Sequence, residues 1–244
     1  MAAFGKIDHI VGLLLAATLA LGGIGGCDVA VADPLADGVA AKEKGDYATA
    51  LAILRPLGEQ GNADAEFGLG GMYWNGHGVS QDYDEAVRWF RLAAAKKNAN
   101  AQYALGLMQA NGEGFAKDDA GAAAWFQLAA DQGLASAQYV LGVIYDGGRG
   151  VAQDETLAVR WFRRAAKQGH AQAQFGLAAI YAMGKGVTKD GVRAQMWFDL
   201  AAKHGADDPE KWRDMWTGKL TKAQVARAKE MATQCETSKY DDCD

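Results

Sequence analysis

Few residues of this chain have a type and spacing suited to chemistry. The four histidines are His9, His77, His170 and His204. None stands four residues from another, the spacing that puts two zinc ligands on one helix face. Cys235 and Cys243 have seven residues between them, and two thiols alone do not make a four-ligand site. Four glycine turns have the composition of phosphate loops: Gly76-His77-Gly78-Val79, Gly112-Glu113-Gly114-Phe115, Gly148-Arg149-Gly150-Val151 and Gly184-Lys185-Gly186-Val187. They lack the preceding strand and the Gly-Lys-Ser/Thr ending that a P-loop needs. No serine or cysteine can be grouped with a histidine and a carboxylate on one surface. The basic pair Arg163-Arg164 reads as a solvated helix face. These residues predict no catalytic group, no cofactor and no metal. The alternative is a hydrolase or binder acting on cell-wall peptides, and the hydrolase would need the nucleophile and base that are missing.

The bulk numbers narrow the class further. The chain has 244 residues, a net charge of −5 and 50% hydrophobic residues. That supports a large core, and the acidic balance argues against a nucleic-acid partner. Ile10 to Leu21 is an uncharged apolar run of 12 residues. It is too short to span a bilayer and suits the core of a signal peptide over residues 1–32, cleaved after Ala30-Val31-Ala32. The alternative is a lipoprotein signal, Ile24-Gly25-Gly26-Cys27, with Cys27 lipidated and the protein anchored to a membrane. Either route predicts export, periplasmic or secreted, into an oxidising compartment where Cys235 and Cys243 form a disulfide.

What must position any functional surface is a repeat. Trp89, Trp125, Trp161 and Trp197 follow one another at 36-residue intervals, within AVRWFRLAA, AAAWFQLAA, AVRWFRRAA and AQMWFDLAA. A fixed period of this length marks a solenoid, each unit covering the apolar face of the next. Four units are read over residues 62–205: Asn62–Lys97, Asn98–Gly133, Leu134–Gly169 and His170–Gly205. Each has a front helix, with Ala65, Leu69, Met72 and Tyr73 as its apolar stripe in the first. Each then has a glycine turn and a rear helix N-capped by Asp82, Asp118, Asp154 or Asp190. Asp82 and Glu85 approximate a capping box. Gly70, Gly106 and Gly142 sit inside front helices, where glycine costs about 1 kcal/mol, and predict a close approach. Residues 33–61 form a degenerate capping repeat, with Asp33-Pro34 starting a first helix to Lys44 and Pro56 kinking a second over Tyr47 to Glu59. Residues 206–235 form a C-terminal cap bearing Trp212 and Trp216, with a Thr221–Gln224 capping box, and residues 236–244 a loose acidic tail.

The pattern A-x-A-x-x-x-L-G-x-x-Y-x-x-G-x-G-V-x-x-D-x-x-x-A-x-x-W-F-x-x-A-A-x-x-G resembles the Sel-one-like repeat, a relative of the tetratricopeptide repeat. Departures are Gln109 and Phe115 in the second unit, Lys97 in the first and Ala178 in the fourth; the second unit is expected to pack more loosely. The resemblance implies an all-α, right-handed α/α superhelical solenoid that acts as a non-catalytic protein–protein scaffold, with the front helices lining its concave side. On that side Glu66, Gln102, Gln138 and Gln174 recur as a polar ladder beside Phe67, Tyr103, Tyr139 and Phe175. The ladder is the candidate surface for a protein or peptide partner, with exposed Trp74 as a further contact.

Overall fold

The computed structural model describes residues 33–206, 209–217, 220–240 and 243. The expected signal segment, with Cys27, and the side chain of Trp216 lie outside the described residues. Among those described, every regular element is a helix: α1 (Pro34–Glu43), α2 (Tyr47–Glu59), α3 (Ala63–Asn75), α4 (Tyr83–Ala95), α5 (Ala99–Asn111), α6 (Asp119–Asp131), α7 (Ala135–Gly147), α8 (Glu155–Ala166), α9 (Ala171–Met183), α10 (Gly191–Lys203), α11 (Pro209–Thr217) and α12 (Lys222–Thr237). Each front helix (α3, α5, α7, α9) packs on its own rear helix (α4, α6, α8, α10), and each rear helix packs on the next front helix. The result is an α/α solenoid.

Local chemistry sets the ends of the helices. The four aspartates cap α4, α6, α8 and α10 through their carboxylates, which accept backbone N–H bonds at N2 or N3. Gly76, Gly112, Gly148 and Gly184 close the front helices in the left-handed conformation. Two expectations need correction. Glu85 does not return to the cap but pairs with Arg88 at 2.9 Å, so that capping box is half made. The box at Thr221 and Gln224 has both halves. Helix α2 runs as one helix from Tyr47 through Pro56 to Glu59. Arg163 is half-buried and donates to the Tyr181 hydroxyl at 2.8 Å, so it is not a solvated side chain.

Between units the aromatic pair of the rear helix splits. Trp89 joins the cluster of Leu54, Leu69 and Met72 behind it, and Phe90 joins that of Leu105 and Met108 ahead. Trp161 and Phe162 divide in the same way, between the cluster of Leu141 and Ile144 behind and that of Leu177 and Ile180 ahead. The interior glycines make room for the phenylalanine. A Cβ on Gly70 would lie 2.5 Å from the Phe90 ring, and one on Gly106 2.7 Å from that of Phe126. The second turn glycine stacks on the preceding rear helix: Gly150 has φ 71° and a Cβ there would meet the Asp119 carbonyl carbon at 2.4 Å. Both the backbone angle and the space exclude a side chain. In the second unit Trp125 is only half-buried, whereas Trp89 and Trp197 are buried.

The cap is an altered fifth unit. Helix α11 packs on α10 and touches α9, as a front helix would, but α12 turns onto α10 instead of pairing with α11. Leu220 at its start faces Gly191, and Glu236 near its end bonds Lys203 at 2.7 Å. Leu200 is 1% exposed as a result, against 39% and 49% for Leu92 and Leu128 at the same repeat position. The described tail residues, 236–240 and 243, include two anchored positions where a loose tail was expected. Cys243 is buried and disulfide-bonded to Cys235, and the Tyr240 hydroxyl lies 3.1 Å from His204 Nε2.

Candidate functional site

The polar ladder is not on the surface. Glu66, Gln102, Gln138 and Gln174 are 2%, 5%, 5% and 0% exposed. Each glutamine sits one residue after the second alanine of its front helix, at the junction with the rear helix before it. Its amide nitrogen donates to a carbonyl eight residues back: Gln138 to Ala130 at 3.1 Å and Gln174 to Ala166 at 3.2 Å, with a longer 3.5 Å contact from Gln102 to Ala94. These carbonyls belong to the last turn of a rear helix, where intrahelical partners run out. The amide oxygen accepts from the C-terminal end of its own unit's rear helix. Gln132 reaches Gln102 at 2.6 Å, Gln168 reaches Gln138 at 2.8 Å, and His204 Nδ1 lies 2.8 Å from Gln174. In the first unit Lys96 Nζ lies 2.5 Å from Glu66 Oε1.

The ladder is thus a buried chain of hydrogen bonds that staples three consecutive helices. The expectation of an exposed partner-binding strip is corrected: the side chains are spent on their own fold, since buried amides need partners. The residues that complete it, Lys96, Gln132, Gln168 and His204, recur at 36-residue intervals and Tyr240 extends the series by one more. That second polar register was present in the sequence but carries no apolar period to draw notice.

The neighbouring aromatics are half-buried. Phe67, Tyr103, Tyr139 and Phe175 lie 5.5–5.9 Å from the phenylalanine of their own unit. Burial, with Tyr139 beside it, pushes the Tyr103 hydroxyl up to about 12, and burial raises Tyr139 too. Trp74 is half-buried as well. Its indole donates to Glu113 at 2.7 Å in the next glycine turn and packs edge-on to Phe90. Lys185 pairs with Asp146 from the same two positions two units on, at 3.6 Å, so this site also links repeats.

Among the described residues, large apolar side chains are also exposed singly at Tyr83 and Met183, and in two further places. Leu92 and Leu128 lie on the rear helices. On α11, Trp212 is 41% and Met215 61% exposed, and Trp212 meets Phe175 edge-on at 6.2 Å, continuing the aromatic row past the last repeat. Among the described residues no three His, Cys, Asp or Glu side chains are grouped to hold a metal ion, and no helix is long and apolar enough to cross a membrane.

Comparison with known proteins places this architecture. The Sel1 repeat model matches residues 63–98, 99–134, 135–170 and 171–205. Among solved structures, a protective antigen of uropathogenic Escherichia coli displaying an SLR fold is 32% identical, with a TM-score of 0.72 over 84% of this chain and 45% of that one. A Sel1 repeat protein from Oxalobacter formigenes is 36% identical, with a TM-score of 0.68 over 75% and 54% of the two chains. The chain therefore spans about half the length of these two structures. Comparison with curated proteins finds no match. Four matched repeats, in register with the caps, turns and aromatic pairs described above, make this chain a member of the Sel1 repeat family.

Proposed function

We propose that this protein is a non-catalytic scaffold of the cell envelope that binds a protein partner at the C-terminal end of its solenoid. Sel1 repeat proteins generally mediate protein–protein interaction. The observation that carries the reading is the exposure of Trp212 and Met215 on α11, three residues apart on one helix face. Elsewhere the repeat motif residues are consumed by caps, turns and inter-helix contacts. Exposed large apolar side chains at the end of an aromatic row mark a docking surface. The apolar run Ile10–Leu21 and the Cys235–Cys243 disulfide support export.

The test is a crosslinking pull-down from envelope extract with wild type beside Trp212→Ala/Met215→Ser. Capture should fall while the thermal melt of the four repeats persists. Equal capture by both proteins, with the same bands, would remove α11 from the interface. The intact mass of the exported protein checks its address: a chain starting at Asp33 means a free envelope protein, and an acylated Cys27 a lipid-anchored one.

A further inference from the structure

The first rung of the ladder differs from the other three in chemistry, and the difference leaves a recess that lacks a donor. In the other rungs an amide nitrogen donates to the carbonyl eight residues back. In the first the residue is Glu66, and the carbonyl in register is that of Gly58. A carboxylate has no N–H to give. Oε1 takes Lys96 at 2.5 Å, and Oε2 is buried without a hydrogen-bond partner. By register Oε2 stands on the side of the Gly58 carbonyl, which accepts from the Gly61 N–H at 2.9 Å, so Oε2 is the acceptor of the pair that lacks a donor. A buried carboxylate oxygen left unpaired is costly, so the arrangement calls for a donor from outside the rung.

The surroundings form a site. Gly58, Glu59, Gln60 and Gly61 at the C-terminal end of α2, together with Glu66, Trp89, Leu92 and Lys96, line an open recess of about 440 Å³. The helix end contributes carbonyls and the negative pole of its dipole. Trp89 and Leu92 provide an apolar wall. Two cations border it, and both are engaged: Lys96 on Glu66 Oε1, and Arg88 on Glu85 at 2.9 Å while stacking 4.2 Å over the Trp89 ring. Trp89 Nε1 is also unpartnered, but so is Trp197 Nε1 at the far end of the solenoid, so the indole alone does not define the site.

We infer that this recess binds a primary ammonium group, which donates to Glu66 Oε2 and the Gly58 carbonyl while its alkyl stem lies against Trp89 and Leu92. The group belongs either to a free amine or to a lysine of a partner protein. The site lies at the other end of the solenoid from α11 and does not depend on that docking face.

The test is a titration of the full chain, followed by the carboxyl carbon resonance of Glu66 and the indole resonance of Trp89. Methylammonium should shift both saturably. Tetramethylammonium, with the same charge and no N–H, should bind at least about tenfold more weakly. Nα-acetyl-lysine methylamide binding about tenfold more tightly than methylammonium assigns the site to a protein lysine, and equal binding assigns it to a small amine; both support the inference. Glu66→Gln restores the amide rung, so it should abolish the response and raise the melting temperature. Equal shifts with both ammonium ions, a response that survives in Glu66→Gln, or a carboxyl resonance that follows pH but not amine would each overturn it.

Discussion

In the middle of the solenoid, Gln102 and Gln138 accept from a glutamine at the end of their own rear helix; at the two ends the same positions meet Lys96 and His204. The inner rungs are neutral amide pairs that any neighbour can extend. The outer rungs carry groups that can be charged, and each meets something other than a repeat. At the N-terminal end Glu66 faces the degenerate unit and keeps an unpaired oxygen. At the C-terminal end His204 is met by Tyr240, which stands one repeat length further on but on a tail stapled by a disulfide. A ladder that repeats without change would offer open hydrogen bonds at both ends. The C-terminal rung is closed by Tyr240, whereas the first rung keeps one open acceptor.

The largest effect should separate the inner aromatics from the end ones. Trp161 is 7% exposed, with units on both sides. Trp161→Ala should cost about 3–5 kcal/mol, the usual price of emptying a large aromatic site. Trp212→Ala, 41% exposed on α11, should cost much less. Denaturant melts showing the reverse order would break the division between core and end.

Next comes the C-terminal staple. Reducing the Cys235–Cys243 bond, or replacing both by serine, should cost about 2 kcal/mol, the low end of the usual range, because the loop it closes is short. Hydrogen exchange should then rise first in α10 and α12, with α5 to α7 unchanged. A uniform rise would mean that the ends and the middle unfold as one unit.

The inner ladder should follow. Gln138→Ala removes one donor from the Ala130 carbonyl, which keeps the Gly133 N–H, and one acceptor from the Gln168 amide, which keeps the Gly133 carbonyl, at a cost of about 1 kcal/mol. A surface glutamine would be neutral within about 0.5 kcal/mol. A melt indistinguishable from wild type would return the ladder to the surface.

The smallest effect is a pH dependence. His170 caps α9, its Nδ1 accepting from the Ala173 N–H at 3.3 Å, and it stacks on Tyr139 at 4.9 Å. Burial pulls its pKa below 6.5. A depressed histidine pKa means that the unfolded chain binds the proton more readily, so stability is full above about 6.5 and falls as pH drops through the lower folded value. His170→Asn supplies the cap used by Asn62 and Asn98 without titrating. It should flatten the melting temperature between pH 7 and 5 by the contribution of this one group. An unchanged slope would locate the pH dependence elsewhere.

The sequence alone determined the register, the helix ends and the caps, because these depend on residues a few positions apart repeated at one period. Asp82 caps α4 through its own nearest amides, and Gly76 turns the chain by its own backbone angle. Even the close approach at Gly70 was legible, since a glycine kept inside a helix needs a reason that local propensity does not supply. The tertiary structure alone decided whether a polar side chain faces water. Gln102, Gln138 and Gln174 fall off the apolar stripe of their helices, which reads as exposed. Their partners lie 8 residues back and 30 residues on, in another helix each time. Whether an amide can be buried depends on finding those partners, and that follows from how three helices meet. Likewise nothing in the Thr221–Gln224 box says that α12 turns onto α10. Ala228 and Cys235 of α12 join the buried cluster of Leu200 only in the folded chain.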